Sequence, residues 1–129
     1  RLWAGVVGEG AFEDGPGGRR AIAVRAPPAG GITVLASRSH GDEAAMQSWL
    51  KGRAVSGRVA AGSSLKFGLL AAGQADVYPR FGRTMEWDIA AGHAVLRAAG
   101  GEVHVVGAGP LRYGKPGFDN PHFAAAGLA

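Results

Sequence analysis

One carboxylate and two cations are the residues of this sequence best placed to do chemistry. Asp88 lies in residues 87–92 (Trp-Asp-Ile-Ala-Ala-Gly), at the expected start of a helix. A carboxylate held there suits a hard cation such as Mg²⁺, which binds a few protein carboxylates together with substrate phosphate. Lys66 and Arg80 each lie beside backbone that is expected to turn or to start a helix. A carboxylate for metal and cations for phosphate indicate phosphate-ester chemistry.

The surroundings of the two cations suit an anion. Lys66 follows Gly62 and Ser63 in the first turn of a predicted helix, where free N–H groups and the helix dipole attract phosphate. Arg80 ends a predicted strand and carries the planar guanidinium that matches phosphate oxygens. Simpler interpretations stay open: a solvated Lys66, and an Arg80 that pairs with a surface carboxylate such as Glu86. Asp88 alone would be an ordinary helix cap.

A second group of polar residues follows a buried strand. Residues 32–37 form a continuous apolar run that is typical of a strand buried on both faces, and Ser37 and His40 come at its end. Open α/β sheets commonly bind ligands at this edge. A lone loop histidine is also consistent with plain solvation. We assign structural roles to His93, in a helix, and to His104, in a strand.

Composition narrows the function classes. The chain has no cysteine, which excludes a cysteine nucleophile, a thiolate zinc site and a disulfide framework, and it is compatible with a reducing compartment; we expect the cytoplasm. No apolar run approaches the roughly 20 residues that span a bilayer. The net charge of +4 favours anionic partners, but the basic residues are scattered, so a small anionic ligand is favoured over nucleic acid.

Helical and strand patterns alternate, which predicts an α/β domain spanning residues 1–129, with a mixed sheet flanked by helices. The early hairpins are expected to supply outer strands. The chain opens inside an apparent strand, so we expect a fragment or a processed half. The predicted helices cover 42–50, 65–72 and 88–99; the predicted strands cover 2–7, 10–12, 21–24, 32–37, 54–60, 75–78, 102–106, 111–113 and 122–126.

Four segments taken together, 37–40, 62–67, 78–82 and 87–95, resemble the second half of the 3'(2'),5'-bisphosphate nucleotidases of the inositol monophosphatase superfamily. The resemblance implies the fold of the C-terminal half of that superfamily's layered α/β sandwich. It also implies a Mg²⁺-dependent, lithium-sensitive phosphatase that hydrolyses adenosine 3',5'-bisphosphate to AMP and phosphate in sulfur assimilation.

The resemblance also implies roles for individual residues. Asp88 would bind an active-site metal. Ser37 and His40 would contact the nucleotide. The phosphate that is not cleaved would be cradled by four residues: Gly62, Ser63, Lys66 and Arg80. Members that act on neutral polyols usually carry a small and an acidic residue where Lys66 and Arg80 stand, so the two cations favour a substrate with a second phosphate.

The sequence also departs from the family pattern. Members carry, in a first half, a metal-binding glutamate and an Asp-Pro-x-Asp-Gly-Thr segment, and neither occurs here; residues 13–16 (Glu-Asp-Gly-Pro) have the wrong order. Two-metal hydrolysis needs ions about 3.5–4 Å apart that are held by several carboxylates, which Asp88 alone cannot do. We therefore expect this chain to be catalytically silent by itself, with the missing half or a second copy of the chain as its partner.

Two other functions remain as alternatives. One is a phosphatase of the same superfamily that acts on inositol or sugar phosphates. The other is a non-catalytic basic module that binds ligands or nucleic acid, whose affinity would fall steeply with salt.

Overall fold

The computed structural model describes residues 1–37 and 43–128, without the side chains of residues 63 and 64. No helix in these ranges combines the length and apolarity that crossing a membrane requires. In chain order the elements are β1 (Leu2–Val6), β2 (Gly10–Gly15), β3 (Gly18–Ile22), β4 (Ile32–Ser37), α1 (Glu43–Leu50), β5 (Val55–Ala61), α2 (Ser63–Ala71), β6 (Val77–Arg80), α3 (Glu86–Ala98), β7 (Glu102–Val105), a 3₁₀ turn (Pro116–Phe118) and β8 (Phe123–Ala126).

The five-stranded sheet brings the candidate residues to one edge. Its strand order is β5-β4-β6-β8-β7; β5, β4 and β6 run parallel, and β8 is antiparallel to both β6 and β7. The parallel strands end at Ser37, Ala61 and Arg80. Because α2 follows β5 and α3 follows β6, both helices begin near this edge. Carboxyl strand ends and helix N-termini therefore meet in one region, as in other open α/β sheets.

Helices α2 and α3 lie between two sheets. Strands β1, β2 and β3 form a separate antiparallel sheet, whose Ala11 and Ile22 cluster with Ala71 and Ala99. The hairpins therefore do not extend the mixed sheet, because their apolar side chains pack on the opposite side of the helices. The main core lies between these helices and the five-stranded sheet, and α1 covers the far face of that sheet.

Helices α2 and α3 approach each other closely at Gly92. A Cβ at this position would lie 2.6 Å from Cγ of Phe67, a distance that real Cβ contacts do not reach. The glycine of the Trp-Asp-Ile-Ala-Ala-Gly segment thus allows the phenyl ring of α2 to contact the backbone of α3. This contact sets how closely the two helices pack at this point.

The predicted fold class, a mixed sheet flanked by helices, is confirmed. Some boundaries were wrong. Helix α3 begins at Glu86 and α2 begins at Ser63, each two residues earlier than predicted, and Gly62 occupies the N-cap position of α2. Residues 111–113 do not form a strand, although the N–H of Leu111 donates to the Val103 carbonyl.

The turn between β2 and β3 is also shorter than predicted. Strand β2 continues to Gly15 and β3 begins at Gly18, so the region 13–18 is mostly paired rather than a loop. The side chains explain the extension: Asp14 lies opposite Arg19 and Glu13 lies opposite Arg20, and each pair forms an ion pair across the strands.

Candidate functional site

A cavity of about 240 Å³ is lined by residues from the end of strand β6, from the beginning of helix α3 and from helix α2. Tyr78 and Arg80 of β6 line it together with Phe67 of α2 and Asp88 of α3. The cavity therefore contains one of the two predicted phosphate-binding cations and the predicted metal ligand.

Arg80 is held in place at the end of β6. Its Nη1 donates to the Oγ of Ser37 at 2.5 Å and lies 3.5 Å from the hydroxyl of Tyr78. Its Nε is buried and has no hydrogen-bond partner in the described part of the chain. A Cβ at Gly82 would come within 3.3 Å of this Nε, so the glycine leaves room for the guanidinium. Two predicted site residues, Ser37 and Arg80, are thus in direct contact.

The simpler interpretation of Arg80, an ion pair with Glu86, is wrong. Glu86 instead accepts hydrogen bonds from the N–H of Gly114 and from the N–H and Nζ of Lys115, the last at 2.5 Å. The Lys115 ammonium lowers the pKa of Glu86, and the two backbone N–H groups lower it further. Glu86 therefore fixes the loop before β8 against the first turn of α3, and it leaves Arg80 to other partners.

Lys66 is not a solvated surface residue. Its side chain is only 1% exposed, and its Nζ donates to the Ala61 carbonyl at 3.0 Å. The same Nζ lies 4.8 Å from the centre of the Tyr78 ring. Gly62, in extended conformation, separates the end of β5 from the first turn of α2. A buried ammonium thus lies beneath the turn that the sequence predicts to hold phosphate.

Asp88 caps its helix with one oxygen only. It is the third residue of α3, and its Oδ2 accepts the Met85 N–H at 2.8 Å. Within residues 1–37 and 43–128, no hydrogen bond reaches its Oδ1. Asp88 is exposed and lines the cavity. The carboxylate is therefore held in a fixed orientation while one oxygen stays available to a ligand.

A complete metal site is not present among the described residues. Nowhere in those ranges do three or more histidine, aspartate or glutamate side chains gather as a metal would require. Asp88 suits a hard cation as a single ligand, so any further carboxylates would have to come from outside the described residues. The position of two predicted site residues is not described: His40 lies outside the described residues, and the side chain of Ser63 is not described.

Sequence reasoning missed Tyr78 as a site residue. The signal was available, because residues two apart on a strand face the same side, and Tyr78 stands two before Arg80. It also missed the network around His93, whose Nδ1 lies 2.7 Å from the Tyr113 hydroxyl and whose Nε2 lies 2.8 Å from Oε1 of Glu102. His93 is buried, and its two hydrogen bonds join α3 to β7 and to the following loop, in keeping with a structural role.

Comparison with known proteins agrees with this geometry. The model of the inositol monophosphatase family matches residues 1–127. The 3'(2'),5'-bisphosphate nucleotidase CysQ of Escherichia coli K12 is 46% identical over 116 residues, which are 88% of this chain and 45% of that protein.

Solved structures extend the likeness to the fold. The crystal structure of CysQ from Bacteroides thetaiotaomicron superposes with a TM-score of 0.77 and 37% identity, covering 95% of this chain and 52% of that one. The structure of the inositol monophosphatase from Anabaena superposes with a TM-score of 0.71 and 26% identity, covering 98% of this chain and 49% of that one. The chain thus spans about half the length of these relatives. The family is generally metal-dependent. By the match over residues 1–127 and the shared fold, the chain belongs to the inositol monophosphatase family.

Proposed function

We propose that this chain is the substrate-binding part of a 3'(2'),5'-bisphosphate nucleotidase, which hydrolyses adenosine 3',5'-bisphosphate to AMP and phosphate with Mg²⁺. One observation carries the proposal. Lys66 and Arg80, two cations 14 residues apart in sequence, both contact Tyr78 beside the cavity that Asp88 lines. The similarity to the E. coli nucleotidase supports it.

The uncleaved phosphate binds at the beginning of α2 and at Arg80. Gly62 and Ser63 offer backbone N–H groups at the positive end of the helix dipole, and Lys66 adds a charge below them. Arg80 forms no ion pair with any described carboxylate, and Ser37 fixes its guanidinium. Its positive charge is therefore available to an anion, and Ser37, together with His40, also contacts the nucleotide.

Asp88 provides one ligand to the metal. When bound, Mg²⁺ would supply Lewis-acid stabilisation of phosphate oxygens and activation of water. Asp88 is the carboxylate of this cavity, so the other carboxylates come from a partner: the half of the relatives that this chain does not span, or a second copy. The chain alone therefore binds nucleotide without hydrolysing it. We place the reaction in cytoplasmic sulfur assimilation and expect lithium to inhibit it.

The test is phosphate release by the complete gene product with Mg²⁺, on adenosine 3',5'-bisphosphate and on inositol 1-phosphate in parallel. Strong preference for the bisphosphate supports the nucleotidase. Preference for inositol 1-phosphate would overturn the nucleotidase proposal in favour of the inositol monophosphatase alternative. The Anabaena structure, to which this chain is similar, is of an inositol monophosphatase. Failure to release phosphate from either, with salt-sensitive binding to duplex DNA, would favour the non-catalytic alternative.

A further inference from the structure

We infer that the hydroxyl of Tyr78 is a direct ligand of the uncleaved phosphate and donates its hydrogen to the same anion that Arg80 binds. This inference rests on the proposed function, because it adds a specificity-determining residue to that phosphate site. It follows from the position of the ring and from the balance of hydrogen-bond donors and acceptors at the end of β6.

The position of the Tyr78 hydroxyl is fixed by packing. The side chain is 3% exposed and still lines the cavity. Its ring makes edge-to-face contacts with Phe67, at 5.8 Å and 87°, and with Phe123, at 5.9 Å and 88°. Contacts of this kind hold an aromatic ring in one orientation. The hydroxyl is therefore held in one position on a side chain that lines the cavity.

The hydroxyl hydrogen of Tyr78 is not used in the hydrogen bonds that the structure describes. Its oxygen lies 3.5 Å from Nη1 of Arg80, and a guanidinium has donors but no acceptor. The phenol oxygen must accept in this contact, so its own hydrogen remains to be donated. No acceptor for that hydrogen occurs among the side chains and backbone that the structure describes.

A second donor is left over beside the first. The Nε of Arg80 is buried and has no partner in the same described ranges. Buried donors without acceptors are rare in folded proteins, and such a donor indicates a bound ligand or water at that position. An anion that presents several acceptor oxygens satisfies both donors at once, and phosphate is such an anion.

The charges around the ring favour an anion as the acceptor of the Tyr78 hydrogen. The Nζ of Lys66 lies 4.8 Å from the ring centre, and the Arg80 guanidinium lies at the hydroxyl. Two positive charges this close to the ring attract an anion to the end of β6 where the hydroxyl lies. Tyr78 thus links the two cations and adds a directional hydrogen bond between them.

The experiment uses the complete gene product and the variant Tyr78→Phe, which removes only the hydroxyl. The control is Tyr113→Phe, the same change at the other tyrosine of the chain, whose hydroxyl contacts His93. The substrates are adenosine 3',5'-bisphosphate and adenosine 3'-monophosphate, which lacks the 5'-phosphate. For each protein we measure kcat and KM, and calorimetry gives the affinity for both nucleotides independently of turnover.

The expected result is a change specific to the second phosphate. Tyr78→Phe should weaken binding of the bisphosphate about tenfold, as expected for one hydrogen bond to a charged group, and should leave the monophosphate within about twofold. Tyr113→Phe should alter neither. If the unchanged protein prefers the bisphosphate and Tyr78→Phe keeps that preference, the inference fails while the proposed function stands. Equal losses on both nucleotides would reduce Tyr78 to a structural residue. A wild-type protein without preference would overturn the proposed function and the inference together.

Discussion

Replacement of Arg80 by methionine tests the proposed discrimination between substrates most directly. The change removes the guanidinium and keeps an unbranched side chain of similar reach. Arg80 forms no ion pair with a described carboxylate, and its described hydrogen bonds join Ser37 and Tyr78. Loss of the contact with Ser37 should therefore cost the folded state only about 1 kcal/mol. The main effect should fall on an anionic ligand.

The magnitude follows from the donors that Arg80 keeps free. Its Nε is buried without a partner in the described chain, so an incoming phosphate gains at least one charged hydrogen bond there. Hydrogen bonds to charged groups contribute about 1.5–3 kcal/mol each. Loss of one or two of them should lower kcat/KM for adenosine 3',5'-bisphosphate by about 10²-fold. Turnover of adenosine 3'-monophosphate should change by less than about threefold, since that substrate has no second phosphate.

Arg58→Met is the matched control for this experiment. Arg58 carries the same charge but forms a bidentate ion pair with Glu43, which joins β5 to α1. It therefore reports any effect of net charge alone on the association of an anionic substrate. The reasoning is refuted if Arg80→Met lowers the efficiency on both nucleotides equally, or if Arg58→Met matches its effect on the bisphosphate.

Three further predictions concern the metal ligand and the framework. Asp88→Asn keeps an oxygen for the Met85 N–H but loses the negative charge. Phosphate release by the complete gene product with Mg²⁺ should therefore fall at least about 10²-fold, while circular dichroism should show that α3 stays intact. Near-normal turnover would contradict the metal role of Asp88. Glu86 has a lowered pKa in the folded protein, so its stabilising contribution is complete above its ordinary value of 4.5 and is lost as the pH falls through the lowered one. Thermal unfolding of Glu86→Gln between pH 7 and pH 3 should therefore show a shallower acid loss of stability than wild type, and parallel curves would contradict this. Gly92→Ala places a Cβ 2.6 Å from Phe67 and should destabilise the fold by about 1–3 kcal/mol, whereas Gly109→Ala, with open space around it, should stay near wild type in the same melting experiment.

The sequence predicted the elements that position the site because their signals are local. The apolar, β-branched run of β4 was placed with its observed bounds, and the order of strand, turn and helix around α2 followed from turn residues and helical spacing. The rule that ligands bind where strands of open α/β sheets end made Ser37 a candidate, whereas Gly62 and Arg80 were grouped with it only through the resemblance to the family.

The partners of the charged side chains could not be predicted in the same way. Ser37 and Arg80 are 43 residues apart, and Glu86 and Lys115 are 29 apart, so the contacts depend on the register of strands and the path of loops. The burial of Lys66 had no local signal either, because a lysine in a first helical turn is usually solvated. The placement of the hairpins in a second sheet depended on which face of α2 and α3 their apolar side chains would cover.

The pattern of ion pairs gives the strongest physical argument for the division of roles in this site. Among the carboxylates that the structure describes, all but two form an ion pair with a basic side chain of the chain: Glu13, Asp14, Glu43, Asp76, Glu86, Glu102 and Asp119. The two exceptions are Glu9, in the turn after β1, and Asp88, which lines the cavity. A carboxylate left without a protein cation beside a cavity is free to bind a cation from solution, and Arg80, without a described carboxylate, is free to bind an anion. The same count explains why hydrolysis needs a partner: the described residues leave one carboxylate at the cavity, whereas two metal ions require several.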